Sequence, residues 1–225
     1  MEISPRLLKI ASLVPFGSTL ADVGTDHGYI PIYLFENKII NHAIAMDVNP
    51  MPLKRAMDNI TLKGFKSMCE FRLSDGLDKL KKDEADTIVI AGMGGLLIRE
   101  ILRRGRDVLS KNTRLILQPM IAPVELRQFL YENGFNIDNE YVVCEENKFY
   151  NIICACQGTS SPTKEDIYIG KNLKSNSPDV FDDYIEYKTK VFSGIIEGIQ
   201  KRKNPNKDEL LKYKEQYEIY KTNSR

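Results

Sequence analysis

Short apolar runs alternate with helical patterns through the first two thirds of this chain. Thr19–Val23, His42–Asp47, Cys69–Ser74, Asp86–Ala91 and Arg114–Gln118 read as strands. Tyr29–Glu36, Pro52–Asn59, Leu96–Arg103 and Pro123–Asn133 carry helical spacing between or after them. Strands separated by single helices need right-handed crossovers, which predicts a doubly wound α/β fold with a parallel sheet covered on both faces. A further helix is predicted over residues 4–14, capped by Ser4 with Pro5 in its first turn. Composition agrees: 42% hydrophobic and 28% charged residues are globular values, outside the range of disordered or fibrous chains.

Beyond Asn133 the pattern changes. Asn139–Glu146 and Phe149–Gln157 read as an antiparallel hairpin closed by Asn147 and Lys148. Thr159–Thr163 reads as a linker. Phe181, Tyr184, Lys188, Val191, Ile195 and Ile199 then trace helical spacing, which resumes more weakly at Leu210, Lys214, Tyr217 and Lys221 after a break at Asn204-Pro205. Two amphipathic helices joined by a Pro-containing turn are expected. Two domains follow, residues 1–158 and 159–225.

Net charge is +1, with 19 basic against 20 acidic residues through Gly158 and 13 against 11 after it, so no global field announces a polyanionic partner. The longest apolar run, Thr87 to Ile98, is closed by Asp86 and Arg99 and is shorter than the ~18–20 residues of a membrane span. Cys69, Cys144, Cys154 and Cys156 show neither a disulfide framework nor metal-ligand spacing. A cytoplasmic, monomeric protein with no metal and no membrane partner is expected.

The chemistry concentrates where strands end. Leu20-Ala-Asp-Val-Gly-Thr-Asp-His-Gly-Tyr-Ile-Pro31 runs from a buried strand through a glycine turn into a helix, the place where a nucleotide-like ligand meets the backbone in doubly wound folds. It lacks the dinucleotide glycine pattern, because Asp26 and Tyr29 stand where glycines would be needed. An Asp there opposes a pyrophosphate and suits a neutral or cationic group. Asp47 closes the second strand, 19 residues after Gly28, where a carboxylate accepts both hydroxyls of a ribose. Ser74-Asp75-Gly76 follows the third strand and offers Asp75 to an adenine amino group; a plain turn is the alternative. Ile90-Ala-Gly-Met-Gly-Gly-Leu96 closes the fourth strand and permits close backbone approach, with Gln118-Pro119-Met120 on the same rim.

Together, Asp22–Pro31, Ser74–Gly76, Ala91–Gly95 and Leu117–Met120 closely resemble the bacterial tRNA adenine-N1-methyltransferases that modify position 22, the TrmK family. The resemblance spans residues 3 to about 157 and, more loosely, the C-terminal helical pair; Thr159–Pro178 matches nothing. It implies a class I (Rossmann-like) S-adenosylmethionine-dependent methyltransferase sheet whose last strand is antiparallel, plus a C-terminal helical hairpin that engages tRNA. On that reading the cofactor is expected along Asp22, Gly24, Thr25 and Gly28, then Asp47 and Val48, then Asp75 and Gly76, and finally Ala91 and Gly92.

Methylases of exocyclic amines resemble an Asn/Asp-Pro-Pro-aromatic pattern after the fourth strand. Here Ala91-Gly92-Met93-Gly94 takes its place, which agrees with attack by a ring nitrogen. Adenine N1 has an in-plane lone pair and no proton to lose, so it displaces the methyl group directly and the base becomes cationic. Asp26 is the candidate to stabilise that charge, with His27 and Tyr29 orienting the base; helix capping is the competing role for Asp26. The target base must leave its stack, with Met93, Met120 and Tyr29 as candidate pocket walls and ordinary packing the alternative for the methionines. Met93, Gly94, Gln118 and Pro119 are expected on the substrate side, and Arg103, Arg104, Lys201 and Lys203 are candidates for RNA phosphates. A nicotinamide-dependent dehydrogenase and a catalytically silent RNA-binding scaffold are the competing classes.

Overall fold

The computed structural model describes residues 3–224. The apolar runs form β1 (Thr19–Val23), β2 (His42–Asp47), β3 (Cys69–Leu73), β4 (Thr87–Met93) and β5 (Arg114–Pro119), followed by the longer β6 (Phe135–Glu145) and β7 (Lys148–Gln157). They make one seven-stranded sheet in the order β3-β2-β1-β4-β5-β7-β6. The first five strands are parallel to their neighbours among themselves, and β7 is antiparallel to both β5 and β6. The expected sheet is therefore present, with its reversed strand inserted second from the edge.

Alternate residues of each central strand feed opposite layers. Ala21, Ile44, Ile88 and Leu115 pack with α4 (Gly95–Arg104) and α5 (Pro123–Glu132) through Ile98, Ile101, Leu126 and Leu130. Leu20, Ala43, Val89 and Ile116 pack with α1 (Pro5–Ser12), α2 (Tyr29–Glu36) and α3 (Pro50–Leu62) through Ile10, Ile32 and Ile60. Burial on both faces is why these strands read as continuous apolar runs. As expected, Ser4 caps α1, its side chain accepting from the Leu7 N–H.

The hairpin and the linker differ from the sequence reading. β6 begins at Phe135, four residues before the predicted start, because a bulge between Ile137 and Asn139 breaks the two-residue alternation. Its turn is Glu146-Asn147, both left-handed at φ 51° and 60°, one position earlier than expected. The segment after Gly158 holds two short helices, α6 (Lys164–Tyr168), with a Thr163/Asp166 capping box, and α7 (Leu173–Asn176). Each is too short to show a helical period. Ile169 and Leu173 tuck under Val142 and under Phe181, Tyr184 and Ile185 of α8 (Pro178–Gln200), which pairs with α9 (Lys207–Thr222). Tyr220, with Phe192 and Tyr184, fills the seam of that helical pair.

Bonds cross the expected domain boundary. Arg127 of α5 and Glu140 of β6 are fully buried, with Arg127 Nε 2.8 and 3.0 Å from the two carboxylate oxygens. Arg127 Nη1 donates to the carbonyls of Ile167 and Tyr168, and Glu140 accepts the Lys171 N–H at 3.1 Å. The C-terminal segment thus supplies three hydrogen bonds to an ion pair rooted in the sheet domain, while Arg127 Nη2 stays buried without a partner.

Candidate active site

The first turn is built by the sheet beneath it. Gly24 and Thr25 both donate their N–H groups to the Met46 carbonyl, at 2.8 and 3.0 Å, folding the end of β1 over the end of β2. Gly24 sits at φ +76°, a backbone conformation that favours glycine, and a Cβ there would lie 2.4 Å from Met93 Cε, the movable end of a flexible side chain. Gly28 opens α2, and no side chain caps that helix. The cleft above holds about 440 Å³ and runs across the carboxyl ends of β3, β2, β1 and β4.

Asp22 and Asp47 are the buried acids of the cleft. Asp47 accepts the Asn49 N–H at 2.9 Å, and neither acid pairs with a basic side chain among the described residues. Burial, reinforced by the Asp47 charge, pushes the Asp22 carboxyl up to about 6. Two buried acids without a cation partner fit a ligand that brings hydroxyl donors and positive charge. Ser74 shapes the next wall: its Oγ donates to the Gly76 carbonyl at 2.9 Å and accepts the Lys79 N–H at 3.1 Å.

At the mouth stand the three candidate catalytic residues. Asp26 is itself left-handed, at φ 45°, and its Oδ1 accepts from Arg55 Nη2 at 2.7 Å. His27 Nε2 lies 3.6 Å from Asp26 Oδ2, and the His27 and Tyr29 rings stack at 5.1 Å with planes 7° apart. On the opposite side, the Gly92 N–H donates to Gln118 Oε1 at 3.1 Å. Gly95 closes that edge, since a Cβ would meet the Ala122 carbonyl oxygen at 2.3 Å.

The structure brings most of the expected positions to one cleft. Asp22, Gly24, Thr25, Asp47, Val48, Asp75, Gly76, Ala91 and Gly92 line it, as do Asp26, His27, Tyr29 and Met93. Gly28 does not; a Cβ on it would press on Ile60 at 3.0 Å. Gly94 faces Ile121, while Gln118 and Pro119 are buried behind the β4 edge. Arg103 pairs with Glu100 at 2.7 Å, and Arg104 is drawn to the Asp75 carboxylate, 2.9 Å from each oxygen. Lys201 and Lys203 sit at the tip of the α8–α9 pair and do not line the cleft. Arg6 and Leu7 of α1, Asn49, and Leu97 and Ile101 of α4 line it unforeseen. Asn49, two residues after Asp47, carried a local signal; Arg6 carried none.

This arrangement, a doubly wound sheet with one reversed strand and a cleft holding a buried acid at the end of β2 and a non-dinucleotide glycine turn, defines a class I methyltransferase domain. The methyltransferase-domain family matches residues 3–153. The tRNA (adenine(22)-N(1))-methyltransferase of Bacillus subtilis (strain 168) is 36% identical over 173 residues, covering 77% of this chain and 73% of that protein. The structure of M. capricolum TrmK in complex with S-adenosyl-homocysteine superposes with a TM-score of 0.84 at 26% identity, covering 99% and 98% of the two chains. A Streptococcus pneumoniae protein in complex with S-adenosyl-L-methionine gives 0.86 at 33% identity, covering 98% and 99%. This chain belongs to the tRNA (adenine(22)-N(1))-methyltransferase family. Among the described residues no helix is long and apolar enough to cross a membrane, and no group of acid, His or Cys side chains has the makings of a metal site.

Proposed function

We propose that this enzyme transfers a methyl group from S-adenosylmethionine to N1 of adenine 22 in tRNA, acting as a cytoplasmic monomer. The observation that carries the reading is the meeting, in one cleft, of two unpaired buried acids with a mouth formed by Asp26, His27 and Tyr29. S-adenosylmethionine supplies an electrophilic methyl group on a sulfonium. N1 attacks with its lone pair, the N1–C bond forms as the S–C bond breaks, and the pair returns to sulfur as the neutral thioether.

The chain's part is placement and charge. Asp47 accepts the ribose hydroxyls, and Asp75, steadied by Arg104, faces the adenine end. Ala91-Gly92-Met93 brings backbone rather than a gripping side chain against the reacting atoms, which suits a nucleophile with no proton to remove. Asp26 balances the positive charge that grows on the base. The stacked His27 and Tyr29 rings offer a surface for an extruded adenine. Arg103 in the last turn of α4 and Lys201 and Lys203 at the tip of the helical pair are proposed for the tRNA backbone.

The test is incubation with tRNA and methyl-labelled S-adenosylmethionine, then nuclease mapping and nucleoside mass spectrometry. Label in 1-methyladenosine at position 22 is the expected result. Cofactor binding without methylation of any tRNA would favour the silent RNA-binding scaffold instead.

A further inference from the structure

One edge of the cleft leaves apolar side chains in water. Ile121 is 70% exposed, and Leu96, Leu97 and Met120 are each about half exposed. Met120 and Ile121 follow β5, and Leu96 and Leu97 lie in the first turn of α4, so all four stand at the carboxyl ends of β4 and β5. Leu97 lines the cleft itself. Ile121 lies over Gly94, where a Cβ would be 3.6 Å from Ile121 Cγ1; Gly92 and Met93, just before Gly94, line the cleft. Exposed apolar side chains gathered at the rim of a binding site mark a contact surface.

The main chain holds these side chains out. The Met120 N–H donates to the Met93 carbonyl at 2.8 Å, and the Gly95 N–H donates to the Ile121 carbonyl at 2.9 Å. Met120 Sδ accepts from Gln118 Nε2 at 3.6 Å. Ala122 is left-handed, at φ 56° and ψ 45°, directly before Pro123. A residue with a Cβ keeps that conformation at a cost, and such strain persists only where the surroundings impose it. Here the imposed turn fixes Ile121 outside the core, where the free protein gains no burial from it.

The reaction at this cleft supplies the occupant. Adenine N1 lies on the pairing edge, so the target base has to leave its stack, and its departure opens a gap between two base faces. Apolar side chains such as Ile, Leu and Met enter gaps of this kind between base steps. We propose that Ile121, flanked by Met120 and Leu96, is a wedge that takes the place of the extruded adenine in the RNA stack while that base lies in the cleft. Ile121 is then a positioning residue, touching the neighbours of the target and not the reacting atoms. The inference rests on the reading that this cleft methylates N1 of a tRNA adenine.

The experiment compares the parent with Ile121→Ser and Ile121→Leu on two tRNAs, one unaltered and one changed at the nucleotide facing position 22 so that the target base is unpaired. Methyl transfer gives kcat/KM, and 2-aminopurine at position 22 reports unstacking by its fluorescence, with S-adenosylhomocysteine bound. On the unaltered tRNA, Ile121→Ser is expected to lose most of the fluorescence rise and about tenfold to hundredfold in kcat/KM, the scale of an unstacking cost. Its S-adenosylhomocysteine affinity should stay within about twofold of the parent, and Ile121→Leu, which keeps an apolar wedge, should match the parent. On the unpaired target Ile121→Ser should recover to within about threefold of the parent, since less unstacking remains to be offset. An equal deficit on both tRNAs overturns the wedge, as does a variant indistinguishable from the parent on both. A parent dimer that Ile121→Ser converts to monomer, with the fluorescence rise intact, also overturns it and makes this edge a contact between copies of the chain. A parent that methylates neither tRNA overturns the reading of the cleft, and the wedge with it.

Discussion

Arg55 on α3 donates to Asp26 at the mouth of the cleft, with Nη2 2.7 Å from Oδ1. The carboxylate therefore turns to a neighbouring helix and not to the N-terminus of α2, where no side chain makes a capping bond. Capping, the competing role for this residue, is absent from the geometry. The pair is about half exposed, at 54% for Asp26 and 47% for Arg55, so it contributes little to stability.

Asp26→Asn is expected to keep the fold, since Asn tolerates the left-handed backbone as well as Asp does. Cofactor affinity should hold while methyl transfer slows by ~10²–10³-fold, the range for one well-placed electrostatic group. Single-turnover methylation of tRNA decides the matter; a rate within about threefold of the parent removes Asp26 from the chemistry and points to His27 and Tyr29.

Asp47→Ala removes the acceptor proposed for both ribose hydroxyls. With charge-assisted bonds at ~1.5–3 kcal/mol, S-adenosylhomocysteine should bind at least tenfold more weakly by calorimetry. Equal affinity would take Asp47 out of the site.

Asp22, with its carboxyl raised to about 6, gives a pH signature. The folded protein holds this proton more tightly than the unfolded chain does, so Asp22 lowers stability as pH rises from about 4 to about 6. In the same window its growing negative charge favours a cationic ligand, so S-adenosylmethionine affinity should rise through pH 6. Asp22→Asn should flatten that rise and stabilise the free protein above pH 6. Affinity titrations at pH 5, 6 and 7.5 measure it, and a parent profile as flat as the variant's would refute the assignment.

The proposed division into a methyltransferase domain, residues 1–158, and a tRNA-engaging helical domain, residues 159–225, is tested by truncation. A chain ending at Gly158 loses the Ile167 and Tyr168 carbonyls and the Lys171 N–H around the buried Arg127–Glu140 pair. Each uncovered polar group costs ~1–3 kcal/mol, so thermal unfolding should fall by ~10 °C while cofactor binding survives at low temperature and tRNA methylation is lost. An unchanged melting temperature would show that the sheet domain is indifferent to its C-terminal partner.

Glu140→Gln probes the same pair in the full chain. Leaving Arg127 buried without its counter-charge should cost ~3–5 kcal/mol, read by chemical denaturation. A loss below about 1 kcal/mol would mean that the surrounding carbonyls suffice.

Much of the site was written locally. The strands, the glycine turn after β1, Asp47 and the Ala91–Gly95 edge are all visible in sequence, because each follows from residues within one turn or one strand. Two-residue and 3.6-residue periods report which face of an element is buried, and doubly wound topology then gathers the strand ends into one cleft. Where a local rule was interrupted the reading slipped. The Ile137–Asn139 bulge hid the start of β6, and α6 and α7 were too short to repeat.

Only the tertiary structure decided which charged side chains meet. Arg55 finds Asp26 across 29 positions, Arg6 finds Gln118 across 112, and Arg104, a candidate for RNA phosphates, finds the Asp75 carboxylate 29 positions away. A long charged side chain leaves no periodic trace, since its head can be satisfied by water as readily as by a partner. Its partner is fixed by how separate helices and strands stack, and that is settled by packing of the apolar faces, not by the charge itself. The sequence alone thus determined the sheet, its glycine edges and the acid that ends β2; the stacking of α1, α3 and α4 on that sheet decided the charges that surround them.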